Sequence, residues 1–274
     1  MILDGRKIAQ SILEEVKTGV AALPFKPIFC DILVGTNPES AQYVKMKGRA
    51  AEKVGIKFLN ANFPEHITTN ALIAEIKKLN QEPNICGLIV QLPLPEHLDK
   101  QAVLDAIDSK IDVDCTGKIN TELFYSGKAY VEFPTAAAVM AALDSTGQNL
   151  KNKNCLVIGY GQLVGKPVSF LLQQRGLKVN VARSKTENIL ELMAEADVIV
   201  SAVGKPKLIT ADKIKAGCII IDAGTSESNG GIVGDVDFES VKEKAGFVSP
   251  VPGGVGPVTV AKLLENVLKI AKLK

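Results

Sequence analysis

The sequence predicts an α/β protein of two domains. Three observations predict it. The length, 274 residues, suits about two domains of ordinary size. Short apolar strands alternate with helical segments in both halves. A glycine-rich turn, Gly159 to Gly165, lies where a buried strand hands over to a helix.

The elements follow in order. Ile8, Ile12, Val16 and Val20 recur every fourth residue and mark the buried stripe of a first helix. Ile28 to Val34 is a short apolar strand ending at Gly35, and a helix from Glu39 to Val54 is stopped by Gly55. Lys57 to Asn62 reads as a strand, Thr69 to Leu79 as a helix and Gly87 to Val90 as a strand. In the second half, Cys155 to Ile158, Lys178 to Ala182, Val198 to Ala202 and Cys218 to Asp222 are strands. Helices open at Pro167, span Glu187 to Ala196 and close the chain from Pro257 to Lys272, the last with Val260, Leu263, Leu264, Val267 and Ala271 on one face. The polar stretch Asp144 to Asn154 is the expected junction before the second domain, and no flexible linker interrupts the first half.

Composition narrows the function classes. Hydrophobic residues make up 46% and charged residues 23%, ordinary globular values, so a core of normal size needs no disulfide or metal support. A net charge of +2 gives no reason to expect nucleic acid or a membrane as partner. The closing Lys269, Lys272 and Lys274 read as a solvated helix end. Five dispersed cysteines point to free thiols in a reducing compartment, and His66 and His97 form no ligand cluster, so no metal site is expected. Met1 to Val16 reads as an amphipathic helix rather than a signal peptide, and no apolar run approaches the roughly 20 residues of a membrane span. A cytoplasmic location is expected.

The turn Gly159-Tyr160-Gly161-Gln162-Leu163-Val164-Gly165 has the spacing GxGxxxG, one residue longer than the commonest dinucleotide fingerprint. Gly159 suits the tight turn, Gly161 lets a phosphate approach the backbone, and Gly165 allows close helix–strand packing. The helix N-terminus behind them favours a pyrophosphate. A packing turn that binds nothing is the alternative. At the end of the next strand, Arg183 and Ser184 stand where an acid would accept from an NAD ribose, so NADP is favoured over NAD. Exposed loop residues without a ligand would look the same.

Tyr43 and Lys47 lie four apart and share a helix face. A hydroxyl beside an ammonium can hold it and help lower its pKa, which suits proton transfer near neutral pH. With Lys45 and Arg49 nearby, a solvated charged face is the competing reading. Val90-Gln91-Leu92-Pro93-Leu94-Pro95 ends a buried strand in a polar amide fixed by two prolines, at the sheet edge where ligands of α/β domains bind. Asp112 and Asp114 place two carboxylates on one side of an extended segment, able to grip a guanidine-like heterocycle edge or simply to cap turns. Pro250 to Thr259, PVPGGVGPVT, is too rich in proline and glycine for regular structure and suits a surface that clamps a flat ring.

Taken together, Tyr43 to Lys47, Val90 to Pro95, Asp112 to Asp114 and Pro250 to Thr259 resemble the bifunctional methylenetetrahydrofolate dehydrogenase/methenyltetrahydrofolate cyclohydrolase family, in order and over nearly the whole chain. Ala196-Asp197, Gly204-Lys205-Pro206 and Gly234-Asp235-Val236 support the resemblance. It implies an N-terminal catalytic domain, 1–120, completed by a C-terminal helix within 255–274, around a Rossmann-like NADP-binding domain, 121–254. It also implies tetrahydrofolate one-carbon derivatives as substrates and a homodimer. In that family Lys47 matches the key cyclohydrolase lysine, Tyr43 lies along the folate, Gln91 supports the lysine and Asp114 holds the pterin edge. Val90, Leu92 and the closing segment Pro252, Gly253, Gly254, Val255 and Gly256 complete the expected substrate contacts. Gly159, Tyr160, Gly161, Gly165, Arg183, Ser184 and Thr225 form the expected cofactor set. The implied reactions are oxidation of 5,10-methylenetetrahydrofolate with NADP+ and hydrolysis of the methenyl product.

The chain departs from the family pattern at Pro134 to Ala138, where a Cys-Thr-Pro-x-Gly stretch is frequent, and at Tyr160, Gly161 and Arg183 in the nucleotide site. It departs again at Cys115, where glycine is usual. Two other functions compete: an NADP oxidoreductase of another pterin or small carbonyl compound, which has no need of Tyr43, Lys47 and Gln91 together, and a non-catalytic NADP-binding module. The central expectation is spatial. Residues 47, 91 and 114 should converge on one cleft facing the nicotinamide.

Overall fold

The computed structural model describes residues 1–228 and 231–274, without the side chain of Ser228. Contacts divide the chain into one unit of Ser11–Pro134 with Leu263–Lys274 and another of Met1–Gln10 with Thr135–Lys262.

The first unit takes most of α1 (Gly5–Ala21) and then β1 (Ile28–Val34), α2 (Pro38–Lys53), β2 (Lys57–Phe63), α3 (Thr69–Leu79), β3 (Ile85–Val90), α4 (Lys100–Asp105) and α5 (Lys118–Tyr125). Its sheet is parallel with order β2-β1-β3. β3 is buried throughout and β1 from Phe29 on, as expected of parallel strands covered on both faces. Helix α2 has well-marked ends. Asn37 caps it by accepting from Ser40 N at 2.8 Å, and Pro38 fits its first turn. At the other end Gly55 N donates to Glu52 O and Ile56 N to Ala51 O, a Schellman stop with Gly55 at φ 87°. Gly48 lets α2 approach β2, because a Cβ there would lie 2.5 Å from Phe58 Cδ1.

The second unit holds α6 (Pro134–Asp144, from Thr135), β4 (Asn154–Ile158), α7 (Gly165–Gln174), β5 (Lys178–Ala182), α8 (Ile189–Glu195) and β6 (Val198–Ser201). A 3-10 turn at Ala211–Lys213 precedes β7 (Ile219–Asp222), the antiparallel pair β8 (Ser226–Ser228) and β9 (Gly231–Val233), α9 (Phe238–Val241), β10 (Phe247–Val248) and the start of α10 (Val255–Ala271). The five-stranded sheet is parallel in the order β10-β7-β6-β4-β5. Numbered from β4 this is 2-1-3-4-5, a doubly wound order whose direction reverses at β4. Ligands of such sheets bind at the carboxyl end of that reversal, where Gly159 follows β4.

The last helix behaves as the fold class anticipates. Leu263 onward belongs to the first unit, where Asn266 Nδ2 donates to Val113 O at 2.9 Å and Glu132 O at 2.7 Å. Two expectations need correction. Helix α1 starts at Gly5, while Met1–Leu3 pair with the β10 edge through Leu3 N to Val248 O, 2.9 Å, and Val248 N to Met1 O, 3.0 Å. The irregular segment from Pro250 ends at Gly254. Gly256 and Pro257 sit in the first turn of α10, where a missing proline N–H leaves no bond unmade.

Candidate active site

Three elements of the first unit supply one polar cluster. Lys47 is on the inner face of α2 and only 2% exposed, unlike its neighbours Lys45 and Arg49. Its Nζ donates to Gln91 Oε1 at 2.8 Å, lies 2.6 Å from Asp31 Oδ2, and stands 5.0 Å from the centroid of the Tyr43 ring one turn earlier. The reading of α2 as a solvated charged face therefore fails at Lys47. Gln91 is fixed just past β3: its N–H donates to Ile32 O at 2.8 Å and its Nε2 to Leu92 O at 2.6 Å, which turns Oε1 toward the lysine. Val90 before it is buried and Leu92 after it half-buried.

Asp114 shares the field of this cluster. Burial pushes its carboxyl up to about 6, and the Lys47 ammonium is the strongest influence holding it down. The Tyr43 hydroxyl is pushed well above its ordinary range by burial and then by the charges of Asp114 and Asp31. The two carboxylates of the Asp112-Val113-Asp114 segment have separate tasks. Asp112 caps a turn, accepting from Gly117 N at 2.9 Å, Asp114 N at 3.3 Å and Thr116 N at 3.4 Å. The segment is a turn and not the extended stretch expected, apart from the Leu88–Asp112 bridge that continues the sheet past β3. Cys115 explains why glycine suits its position, since its φ is 61° in the left-handed region.

Asp31 belongs to the same cluster and was passed over by the sequence reading. It sits in the middle of β1 with no exposed surface, its Oδ2 lies 2.6 Å from Lys47 Nζ, and among the described residues nothing else partners the carboxylate. Burial raises its carboxyl above the usual range against the pull of Lys47. A single acid inside an otherwise apolar strand, IFCDILV, was the signal available.

In the second unit the three glycines of the turn after β4 have different surroundings. Gly159 has φ 88°, and a Cβ on it would lie 2.5 Å from Ala202 O at the end of β6. A Cβ on Gly165 would overlap the carbonyl oxygen of Gly159, so α7 can pack this closely only with glycine there. Gly161 is exposed, with nothing within 4 Å of where its Cβ would be, which leaves its backbone open to a ligand. Arg183 is exposed just after β5, and its guanidinium carbon is 4.5 Å from the centroid of the Tyr160 ring. The two departures from the family pattern at 160 and 183 are thus joined: the tyrosine supports the arginine. Ser184 and Thr225 are exposed, and a Cβ on Gly204 would lie 3.1 Å from Thr225 O.

Two buried acids hold the loops at this sheet edge. Asp235 accepts from Ser201 Oγ at 2.6 Å, Lys205 N at 2.6 Å and Val203 N at 2.9 Å. Asp222 accepts from Val236 N at 2.9 Å and Gly224 N at 3.0 Å, and burial pushes its carboxyl up to about 6. Side chains at Gly224 or Gly234 would collide with Asp235 and Asp222 respectively. The segment Pro252 to Gly256 also lies in this unit. The Val251–Pro252 peptide is cis, Gly253 has φ 104°, a Cβ on Gly5 would overlap Gly254 O, and Val255 and Gly256 open α10.

Comparison with known proteins decides the family. The profile of the tetrahydrofolate dehydrogenase/cyclohydrolase catalytic domain matches residues 3–114, and that of the NAD(P)-binding domain of the same family matches residues 134–274. The chain belongs to the tetrahydrofolate dehydrogenase/cyclohydrolase family. A relative from Lactobacillus delbrueckii subsp. bulgaricus, the bifunctional protein FolD, is 40% identical over 274 residues, covering 99% of this chain and 97% of its own. The crystal structure of the bifunctional enzyme FolD, methylenetetrahydrofolate dehydrogenase/cyclohydrolase, from Campylobacter jejuni superposes with a TM-score of 0.96 at 39% identity, covering 100% of this chain and 99% of that one. The Trypanosoma brucei methylenetetrahydrofolate dehydrogenase-cyclohydrolase, solved with NADP cofactor and an inhibitor, gives a TM-score of 0.95 at 35% identity over 100% and 97%.

As a member of this family the chain has a mixed α/β fold of two domains, one of them Rossmann-like and NAD(P)-binding. Its first unit unites Tyr43, Lys47, Gln91 and Asp114 with Asp31. Its second carries the nucleotide turn and the Pro252 to Gly256 segment. Among the described residues no helix is long and apolar enough to cross a membrane.

Proposed function

We infer that this family member is a bifunctional enzyme of one-carbon folate chemistry. It oxidises 5,10-methylenetetrahydrofolate to 5,10-methenyltetrahydrofolate with NADP+, then hydrolyses the methenyl form to 10-formyltetrahydrofolate. One observation carries the reading: a buried amine, Lys47 Nζ, held 2.8 Å from Gln91 Oε1 beside a tyrosine ring and two acids. A non-catalytic nucleotide module would have no use for it.

The residues divide the work. NADP+, when bound, supplies the hydride acceptor. Gly159, Gly161 and Gly165 leave its pyrophosphate a backbone surface at the N-terminus of α7, and the residues fit the group because the space beside Gly161 is open. Arg183, seated on Tyr160, and Ser184 suit a 2′-phosphate, and no acid competes at this strand end, so NADP is favoured over NAD. Thr225 completes the set. Oxidation is driven by the substrate's own nitrogen lone pairs, so the protein chiefly positions the methylene carbon. Hydrolysis needs a proton removed from water and one delivered to the departing nitrogen, and Lys47 is the group for both. Asp114 takes the pterin edge, and Tyr43 lies along the folate with Val90 and Leu92.

By function we assign residues 1–120 with 255–274 to the folate-binding catalytic domain and 121–254 to the NADP-binding domain. All five cysteines are buried free thiols, in keeping with the reducing compartment of the cytoplasm, and the homodimer rests on the family resemblance alone. Purified protein given methylenetetrahydrofolate with NADP+ should form NADPH and a methenyl chromophore that then decays, and should do so more slowly with NAD+. Protein that forms no NADPH and leaves added methenyltetrahydrofolate at its uncatalysed rate of decay would remove this reading.

A further inference from the structure

Asp31 has no part in the reaction as derived above, yet its setting is costly. It is the one charged residue of β1, fully buried, and among the described residues its carboxylate has no partner but Lys47. A β-branched apolar residue would suit a central parallel strand better, and an uncompensated buried carboxylate is a heavy penalty. What compensates it is Lys47 Nζ at 2.6 Å. In the sheet Asp31 pairs with Ile89 of β3 and Ile32 with Val90, so Asp31 and Gln91 reach the amine from adjacent strands. Tyr43 adds its ring from α2.

We propose that Asp31 is a positioning residue for Lys47: its carboxylate fixes the amine against Gln91 and keeps the pair electrically balanced where a cationic methenyl substrate must approach. The proposal rests on the hydrolytic reading above. Among the described residues the titratable groups that feel the Asp31 charge are Lys47 and Tyr43 from α2, Asp114 from the turn after Asp112, and its strand neighbour Cys30, on the opposite face of β1.

The test is steady-state hydrolysis of methenyltetrahydrofolate by Asp31→Asn and Asp31→Glu. Misplacing a catalytic group by about 1 Å costs on the order of 100-fold, so Asp31→Asn should lower kcat roughly 10- to 100-fold with KM changed less than about threefold. Its pH–rate profile should differ from that of wild type, because the charge beside the amine is gone. Asp31→Glu, which keeps the carboxylate, should recover part of kcat. The far-UV circular dichroism spectrum, measured alongside, reports that the chain is folded. A kcat and pH profile unchanged in Asp31→Asn would overturn the proposal, as would equal losses in Asn and Glu variants. Thermal melting of Asp31→Asn, Lys47→Ala and the double variant separates the two ideas. A non-additive cycle in a wild type that hydrolyses nothing overturns the functional reading while keeping the contact. An additive cycle overturns the pairing itself.

Discussion

Replacing Gly165 and Gly161 by alanine in turn separates what the nucleotide turn does for folding from what it does for binding. At Gly165 a new Cβ would overlap the carbonyl oxygen of Gly159 and lie 2.8 Å from its carbonyl carbon and 3.0 Å from Tyr160 Cα. All three are backbone atoms, so no side chain can swing aside, and either α7 or the turn must shift. Overpacking of this kind costs about 1–3 kcal/mol. At about 2–4 °C per kcal/mol for a protein of this size, Tm should fall by roughly 2–12 °C. NADP+ binding should weaken with it, because the shift displaces the turn to which we assign the pyrophosphate. At Gly161 nothing lies within 4 Å, and its φ is outside the left-handed region, so alanine should leave Tm within about 2 °C of wild type. A methyl group there occupies the space left for the ligand, and NADP+ affinity should fall at least about tenfold, the worth of one displaced phosphate contact. Differential scanning fluorimetry and calorimetric NADP+ titration measure both quantities on each variant. Gly165→Ala with unchanged Tm and affinity, or Gly161→Ala with unchanged affinity, would refute the reasoning.

Two further outcomes are expected. Arg183→Ala should lower NADP+ affinity roughly 10- to 100-fold while NAD+ affinity moves less than about threefold, since one or two charge-assisted hydrogen bonds are lost to the 2′-phosphate alone; equal losses for both nucleotides would move the 2′-phosphate site elsewhere. Asp222 is raised by burial from 3.8 to about 6, so its stabilising contribution is full below about pH 3.8 and is lost as pH rises through 6. The Tm of wild type relative to Asp222→Asn should therefore decline between about pH 4 and 6.5 and level off above; a difference that stays flat across that window would contradict it.

Much of this arrangement is legible in the sequence where local and global signals agree. β1, α3 and β5 begin and end where read, because apolar runs or stripes there are bounded by glycine, a capping threonine or a change of polarity. Lys47, Gln91 and Asp114 were singled out in the sequence with bland alternatives beside them, and it was the order of their motifs, resembling one family, that tied them to one site. Helices α4 and α5 are too short for a periodic signal, and α6, PTAAAVMAALD, is apolar all round and shows no stripe. Met1–Leu3 join the β10 edge through a pairing some 245 residues distant, which no local pattern can announce. Asp31 was hidden by its own strand: six apolar neighbours dictate β1, and the one acid among them reads as noise until α2 brings Lys47 to it. Asp112 and Asp114 look equivalent two residues apart, and only the structure shows that Asp112 is taken up by capping the turn.

The most direct test is Lys47→Ala assayed for methenyltetrahydrofolate hydrolysis and for NADP+ binding on the same preparation. The amine to which we assign the proton transfers is lost in the first unit, whereas the nucleotide turn lies in the second. Hydrolysis should fall to the uncatalysed rate while NADP+ binds as in wild type. Hydrolysis at a rate comparable to wild type would contradict the account.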